Sequence, residues 1–387
     1  MKCDEMRETL NSQKSLNSSL PLNSSTSMNS TKMDDSPRVT VTAIVVTHNG
    51  AGTIQTCIES LLSSSINPKK KSTPPEAEAA RPQLRILIVD NASNDKTPSI
   101  LERYASVGDI DLMRMEVNVG FGAGNNAGIR RALEQGTDYL FLLNQDAFVE
   151  VDTIEQLVGV MEMHPSFGVL SPLHLNGAAD DLEWHFVEYG LKTTKDGRKW
   201  LETEEPRISG GRWMPSGMGA QPEMVDGRLT LVDNTPVPVE FVNAAAWMVR
   251  RSCFEEAGGF HPAFFMYSED VEFLQRVHSL GFGVGVAVDC AVIHDRRENE
   301  RRERRGAGLK NDPLRVHRGA VLSVALHPRY TSKEKRSAIR SKTIWFMARL
   351  IRHGEFGTAY RVWGATKEAR NLMHSNVFED ARQSLFS

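Results

Sequence analysis

The chain has 387 residues, of which 40% are hydrophobic and 25% charged, with a formal net charge of −3. That composition is ordinary for a globular protein and long enough for one large α/β domain with appendages. A charge so near neutrality gives no overall electrostatic case for nucleic-acid binding. Cys3, Cys57, Cys253 and Cys290 are scattered without a CxxC pair, which argues against a zinc site or a disulfide framework and fits a reducing compartment.

Residues 1–38 are rich in Ser and Asn and poor in large apolar residues, so a disordered arm is expected. Met33, just before the first apolar run, leaves open a start within this arm. No signal-peptide core is seen, and no apolar run reaches the roughly 18 residues of a spanning helix, so a cytoplasmic protein is the expectation.

Val39–Thr47 is β-branched and apolar, a buried strand ending at His48-Asn49-Gly50. A helix over Thr53–Ser63 follows, then a solvated loop at Lys69–Arg81. Leu84–Val89 is a second strand, ending at Asp90-Asn91. Thr97-Pro98 opens a helix to about Tyr104. Ile110–Val117 reads as a third strand and Tyr139–Leu143 as a fourth, ending at Asn144-Gln145-Asp146. Between them, Asn118–Gly128 reads as a Gly/Asn-rich turn running into a helix. This alternation predicts an α/β fold with a mainly parallel central sheet. Residues 176–236 are weakly periodic, a variable insert. Val239–Arg250 resumes strand character, Asp270–Leu280 is helical, and Phe282–Ile293 is a strand ending at His294-Asp295. The expected organisation is an arm to residue 38, a catalytic domain over 39–295 and a basic helical region over 296–387.

Polar clusters at strand ends of one open sheet can converge on a ligand crevice. Asp90 alone would more simply accept N–H groups in its own turn. Asp146 leaves a buried strand with no adjacent Lys or Arg, as suits a carboxylate holding a hard cation; capping of the helix near Asp152-Thr153 is the plainer alternative. Glu269, Asp270 and Glu272 crowd a helix start after Phe264-Phe265-Met266-Tyr267. They complement the helix dipole, and the aromatic surround would raise their basicity. Gly122-x-Gly124-x-x-Ala127 loosely matches a dinucleotide fingerprint, but two strand–helix units precede it where that fingerprint belongs after the first strand.

Taken in order, Ala43–Asn49, Val89–Ser93, Asn118–Gly128, Leu142–Asp146 and Gly258-Gly259-Phe260 through Glu269-Asp270-Val271-Glu272, with Gly281 and His294, resemble glycosyltransferase family 2, in its bacterial rhamnosyltransferase-like branch. The resemblance covers about Val39 to Asp295. It implies a GT-A fold and an inverting, metal-dependent transfer of a sugar, best rhamnose from dTDP-rhamnose, to a glycan or lipid-linked acceptor in cell-surface synthesis. It further implies that Thr47, Asn49, Asp90, Asn118, Gly122 and Asn144 serve the donor. Asp146 and His294 would bind Mg²⁺ or Mn²⁺, and Asp270 would be the base, supported by Glu269. Trp247 is a candidate sugar-facing wall or a core residue. The chain departs from the pattern at Asn144, His261 and Glu272, each standing where the family has Asp.

Lys333, Lys335, Arg336, Arg340, Lys342, Arg349 and Arg352, interleaved with Ile344, Trp345, Phe346, Met347, Leu350 and Ile351, suit either contact with the inner membrane face or an ordinary solvated helix face packed on the catalytic domain. The rival functions are a nucleotidyltransferase, an NAD(P)-dependent oxidoreductase and an inactive sugar-binding homologue.

Overall fold

A computed structural model describes residues 38–69, 81–203 and 235–296, short strand pairs within 208–230, and residues 313–386 apart from 353 and 355. The expected arm through residue 37, residues 70–80 of the expected Lys69–Arg81 loop, and residues 297–312 of the basic region lie outside the described residues.

The chain runs β1 (Thr40–Thr47), α1 (Ile54–Leu62), β2 (Gln83–Asp90), α2 (Thr97–Ala105), β3 (Asp111–Arg114), α3 (Phe121–Glu134), β4 (Tyr139–Asn144), β5 (Ala147–Val149), α4 (Thr153–Met163) and β6 (Phe167–Leu175). The insert follows with α5 (Trp184–Tyr189), a 3₁₀ turn at Leu191–Thr193, α6 (Lys195–Thr203), and the antiparallel pairs β7 (Ile208–Ser209) with β8 (Arg212–Trp213) and β9 (Glu223–Val225) with β10 (Arg228–Thr230). Next come β11 (Val237–Pro238), β12 (Ala246–Arg250), α7 (Arg251–Ala257), α8 (Glu269–Ser279) and β13 (Gly283–His294). Four helices end the chain: α9 (Pro313–Ala325), α10 (Ser332–Arg352), α11 (Phe356–Leu372) and α12 (Val377–Phe386).

The central sheet has the order β11-β13-β6-β12-β4-β1-β2-β3, with β5 on β13. β1 is parallel to β2 and β4, β2 to β3, and β13 to β6, whereas β12 is antiparallel to both its neighbours. The sheet is therefore mixed in its second half. Along β1, Val41, Ala43 and Val45 face one core and Ile44 and Val46 the other, so both faces are covered and the strand reads as one apolar run. Helices α1, α2 and α4 cover the first face, and α3, α7 and α8 the second.

The Asn/Gly run is a turn entering a helix, as expected, with α3 beginning at Phe121. A Cβ on Gly124 would stand 2.9 Å from Val46 Cγ1, and one on Gly128 2.6 Å from Ile44 Cγ2, so these glycines seat α3 against β1. Trp247 is fully buried, packed on Phe260 and Phe273, and is a core residue rather than a sugar-facing wall. Sequence could not separate the two because an aromatic in a strand suits either.

The C-terminal helices carry a separate small core of Val321, Leu322, Ile339, Ala369, Met373 and Val377, into which Phe264 also packs. Helix α12 adds Leu385 to the sheet core and Ser384 Oγ to the Asn126 amide at 3.0 Å. No described helix is long and apolar enough to cross a membrane.

Candidate functional site

Parallel pairing sets Thr47 opposite Asp90 and Val46 opposite Asn144, so three polar strand ends lie side by side. Side chains stitch the loops that leave them. Gln145 Oε1 accepts from Thr47 Oγ1 at 2.6 Å and from the His48 N–H at 3.1 Å. Asp90 Oδ1 accepts the Ser93 N–H at 3.0 Å, the turn role expected of an isolated aspartate. Ser93 Oγ accepts the Asn49 N–H at 3.0 Å, and Asn49 Oδ1 accepts that of Asn94 at 2.8 Å. Asn49 has φ 53°, which Asn tolerates better than most residues.

Asn91 holds the next loop: its Nδ2 donates to Asn118 Oδ1 at 3.1 Å and to the Gly120 carbonyl at 3.0 Å. Asn118 is thus committed in part to shaping the turn, and also accepts the Gly120 N–H. Gly120, at φ 88°, leads into α3 where a Cβ would collide with the Phe265 carbonyl. Gly122 is buried, and a Cβ there would stand 3.0 Å from Phe260 Cβ and 3.8 Å from Glu269 Cβ. It brings the start of α3 against the loop that precedes α8.

That loop carries the acid pair. Tyr267 and Ser268 both have positive φ, 73° and 71°, a conformation that costs non-glycine residues energy and recurs at functional sites. The turn delivers Glu269 and Asp270 into the first turn of α8. Glu269 is buried, and its Oε2 has no hydrogen-bond partner among the described residues. Burial, with the neighbouring Asp270 carboxylate second, raises its pKa well above the usual range. Asp270 is half-buried; burial raises it too, against the N–H groups of Val271, Ala244 and its own backbone. Both carboxyls are pushed upward by burial and titrate as one coupled pair, which keeps a proton more readily than two solvated carboxylates would. The backbone at 243–245 also meets β4, where the Asn144 N–H donates to the Ala245 carbonyl at 2.9 Å.

Asp146 is buried beside β13: His294 Nε2 lies 3.6 Å from its Oδ1, and the Asp295 N–H donates to its carbonyl at 2.8 Å. His294 Nδ1 is buried without a hydrogen-bond partner among the described residues. A buried carboxylate with an imidazole nitrogen 3.6 Å away is a donor pair that fits a divalent cation. The described helix α4 starts after Asp152, which makes no side-chain cap, and Asp146 lies too far upstream to serve as one.

Glu272 does not face this edge. It is fully buried in a two-point ion pair with Arg276, at 2.6 and 2.9 Å, and Arg276 also donates to the Ala257 and Gly259 carbonyls. His261 accepts the Ala263 N–H and lies 3.5 Å from Asp380 of α12. Both departures from the family pattern therefore have structural roles. Gln145 and Asn91 were quoted in the sequence only as parts of clusters; their bridging follows from strand register, which the sequence does not display.

Residues 42–216 match the model of glycosyl transferase family 2. A low-salt glycan biosynthesis hexosyltransferase of Haloferax volcanii is 24% identical over 217 residues, 56% of this chain and 60% of that protein. The chain thus spans less than two thirds of that relative. An N-acetylglucosaminyl-diphospho-decaprenol L-rhamnosyltransferase of Mycobacterium tuberculosis is 24% identical over 231 residues, 56% of this chain and 68% of that protein. Among solved structures, S. aureus TarS 1–349 in complex with UDP-GlcNAc superposes with a TM-score of 0.55 at 13% identity, covering 90% of this chain and 88% of the other. That likeness supports the GT-A fold.

Proposed function

Because the chain carries a glycosyl transferase family 2 domain, we propose that it is an inverting glycosyltransferase that moves a sugar from a nucleoside diphosphate to an acceptor hydroxyl. The observation that carries this reading is the acid pair of α8, delivered to the helix's first turn by two left-handed residues and with Glu269 buried.

In this reading the ends of β1 and β2, with Thr47, Asn49 and Asp90, take the nucleoside, and Asn118 and Asn144 flank the donor. Gly122 contributes by letting α3 approach the α8 loop. Asp270 accepts the proton of the acceptor hydroxyl as that oxygen attacks the anomeric carbon. The bond to the diphosphate breaks on the opposite side, so the configuration inverts. A raised pKa makes Asp270 a stronger base than a solvated aspartate. Asp146 and His294 would hold Mg²⁺ or Mn²⁺, whose charge would neutralise the leaving diphosphate.

Rhamnose from dTDP-rhamnose is our choice of donor, and a lipid-linked glycan our choice of acceptor; both rest on the name of the mycobacterial relative. A peripheral position on the inner face of the cytoplasmic membrane would suit such an acceptor. Supporting it, Arg336, Arg340, Lys342, Ile344, Trp345, Arg349, Ile351 and Arg352 are all exposed on α10.

The test is nucleoside-diphosphate release from a panel of sugar nucleotides, with Mg²⁺ or Mn²⁺ and with polyprenyl-diphosphate glycans as acceptors. Release from one donor, abolished by EDTA, is expected. Cleavage of a nucleoside triphosphate with diphosphate release, or reduction of a bound nicotinamide cofactor, would replace this reading with one of its rivals.

A further inference from the structure

Beyond Asp146, the far side of the His294 imidazole holds a second set of donor atoms. A tight hairpin makes it: the Asn176 N–H donates to the Asp181 carbonyl at 2.9 Å, and the Glu183 N–H to the His174 carbonyl at 2.7 Å. Glu183 therefore returns beside His174. In the parallel pairing of β6 and β13, His174 lies opposite Val292, and His294 is two residues on. Alternation puts His174 and His294 on one face of the sheet. Their rings meet edge to face, with centroids 5.9 Å apart. One donor atom from each of His174, Glu183 and His294 lies within 4.8 Å of the others. All three residues are at most 5% exposed.

The imidazoles are left in an unfavourable state by the protein alone. His174 Nε2 is engaged with Ser171 Oγ at 3.0 Å, but Nδ1 of His174 and Nδ1 of His294 make no hydrogen bond among the described residues. The Ala246 backbone nears the His174 ring without hydrogen-bond geometry at Nδ1. Each orphaned buried nitrogen costs about 1–3 kcal/mol. A metal ion would satisfy both nitrogens at once.

Glu183 supplies the negative charge. It also caps α5, accepting the His185 and Phe186 N–H groups, and it pairs with Arg296 at 3.2 Å. Arg296 is partly exposed, at 21%, and can swing outward.

The geometry points to a transition-metal site formed by His174, Glu183 and His294, which takes Zn²⁺, Co²⁺ or Mn²⁺ in preference to Mg²⁺. Two imidazoles and one carboxylate are a donor set that such ions favour and Mg²⁺ does not. Ligand atoms around a tetrahedral ion stand about 3.3 Å apart, so a closure of about 1.5 Å brings the set together. The bound ion would tie the start of the insert to the end of β13 and fix the His294 ring that reaches Asp146. The inference touches the glycosyltransferase reading at His294: a neutral imidazole has one lone pair, so an ion held at Nδ1 leaves the proton on Nε2 toward Asp146 and competes with the cation proposed there for this ligand.

The full chain, free of nucleotide, is titrated with Co²⁺ and with Zn²⁺ by equilibrium dialysis, and the Co²⁺ visible spectrum is recorded. The wild type should hold one equivalent with ligand-field bands of a nitrogen-rich site, undisturbed by excess Mg²⁺. Glu183→Gln retains an oxygen to cap α5, and His174→Gln keeps a polar side chain; each should weaken binding at least about tenfold. Arg296→Gln should tighten it. Failure of the wild type to bind either ion would overturn the site, as would unchanged affinity in both ligand variants with loss in Asp146→Ala. Neither result touches the role of Asp270, which donor turnover tests separately.

Discussion

Replacing Glu272 by Gln would leave the Arg276 guanidinium charged, fully buried and without its counter-ion. Both side chains are 0% exposed, so solvent offers no screening and the surface-pair discount does not apply. Breaking one partner of such a pair costs about 3–5 kcal/mol. The Ala257 and Gly259 carbonyls still hold the guanidinium in place, so it cannot escape to water. With unfolding entropy of about 2.1 cal/mol/K per residue over roughly 350 residues, that cost lowers Tm by about 4–7 °C. Differential scanning calorimetry of the variant reads the shift, and denaturation in high salt should leave it unchanged. Pairing Glu272→Met with Arg276→Met should recover much of the loss, because the desolvated charges leave together. The folded Glu272→Gln protein should keep its turnover number. A variant of undiminished Tm that loses turnover would refute the reasoning and put Glu272 at the reacting atoms.

Gly128→Val would drive a side chain into Ile44, where even a Cβ stands 2.6 Å from Cγ2; overpacking of about 1–3 kcal/mol, or more, should appear in chemical denaturation. The pH dependence has a definite sign. Glu269 and Asp270 have raised folded pKa values, so their contribution to stability is full in acid and is lost as pH rises through them. Glu269→Gln should therefore match the wild type near pH 4, gain Tm over it progressively as pH rises to about 8 and hold a constant advantage above that, while wild-type turnover falls off below about pH 6 as Asp270 protonates. Arg349 lies over the Trp345 ring on the exposed face of α10. Replacing Arg340, Arg349 and Arg352 by Gln should weaken sedimentation with phosphatidylglycerol vesicles by about 1 kcal/mol per charge, leaving binding to neutral vesicles unchanged.

Much of the frame was legible because buried strands declare themselves. Val39–Thr47 and Leu84–Val89 lack alternation since helices cover both faces of the sheet, and their polar ends marked the site edge. Strand direction was not legible: β12 runs antiparallel, yet Ala246–Arg250 has the same apolar composition as its parallel neighbours. The Asn/Gly run was legible as a turn entering a helix with close backbone approach, but not in its partners. Glycine signals close approach without naming the neighbour, and here Gly124 and Gly128 approach Val46 and Ile44. Asn126 likewise grips both the Phe260 N–H and carbonyl. His174 and Glu183 carried no signal, because a hairpin and a parallel register between distant strands bring them to His294. The acid pair was found by its aromatic surround, while the left-handed turn that places it needs coordinates to be seen.

The most direct test of the central claim separates binding from chemistry at one atom. Asp270→Asn keeps shape and hydrogen-bonding capacity and removes the base. Donor affinity by calorimetry should match the wild type within about twofold, whereas nucleoside-diphosphate release with acceptor should fall by roughly 10²–10⁴. A variant that binds the donor normally and still transfers at the wild-type rate would contradict the account.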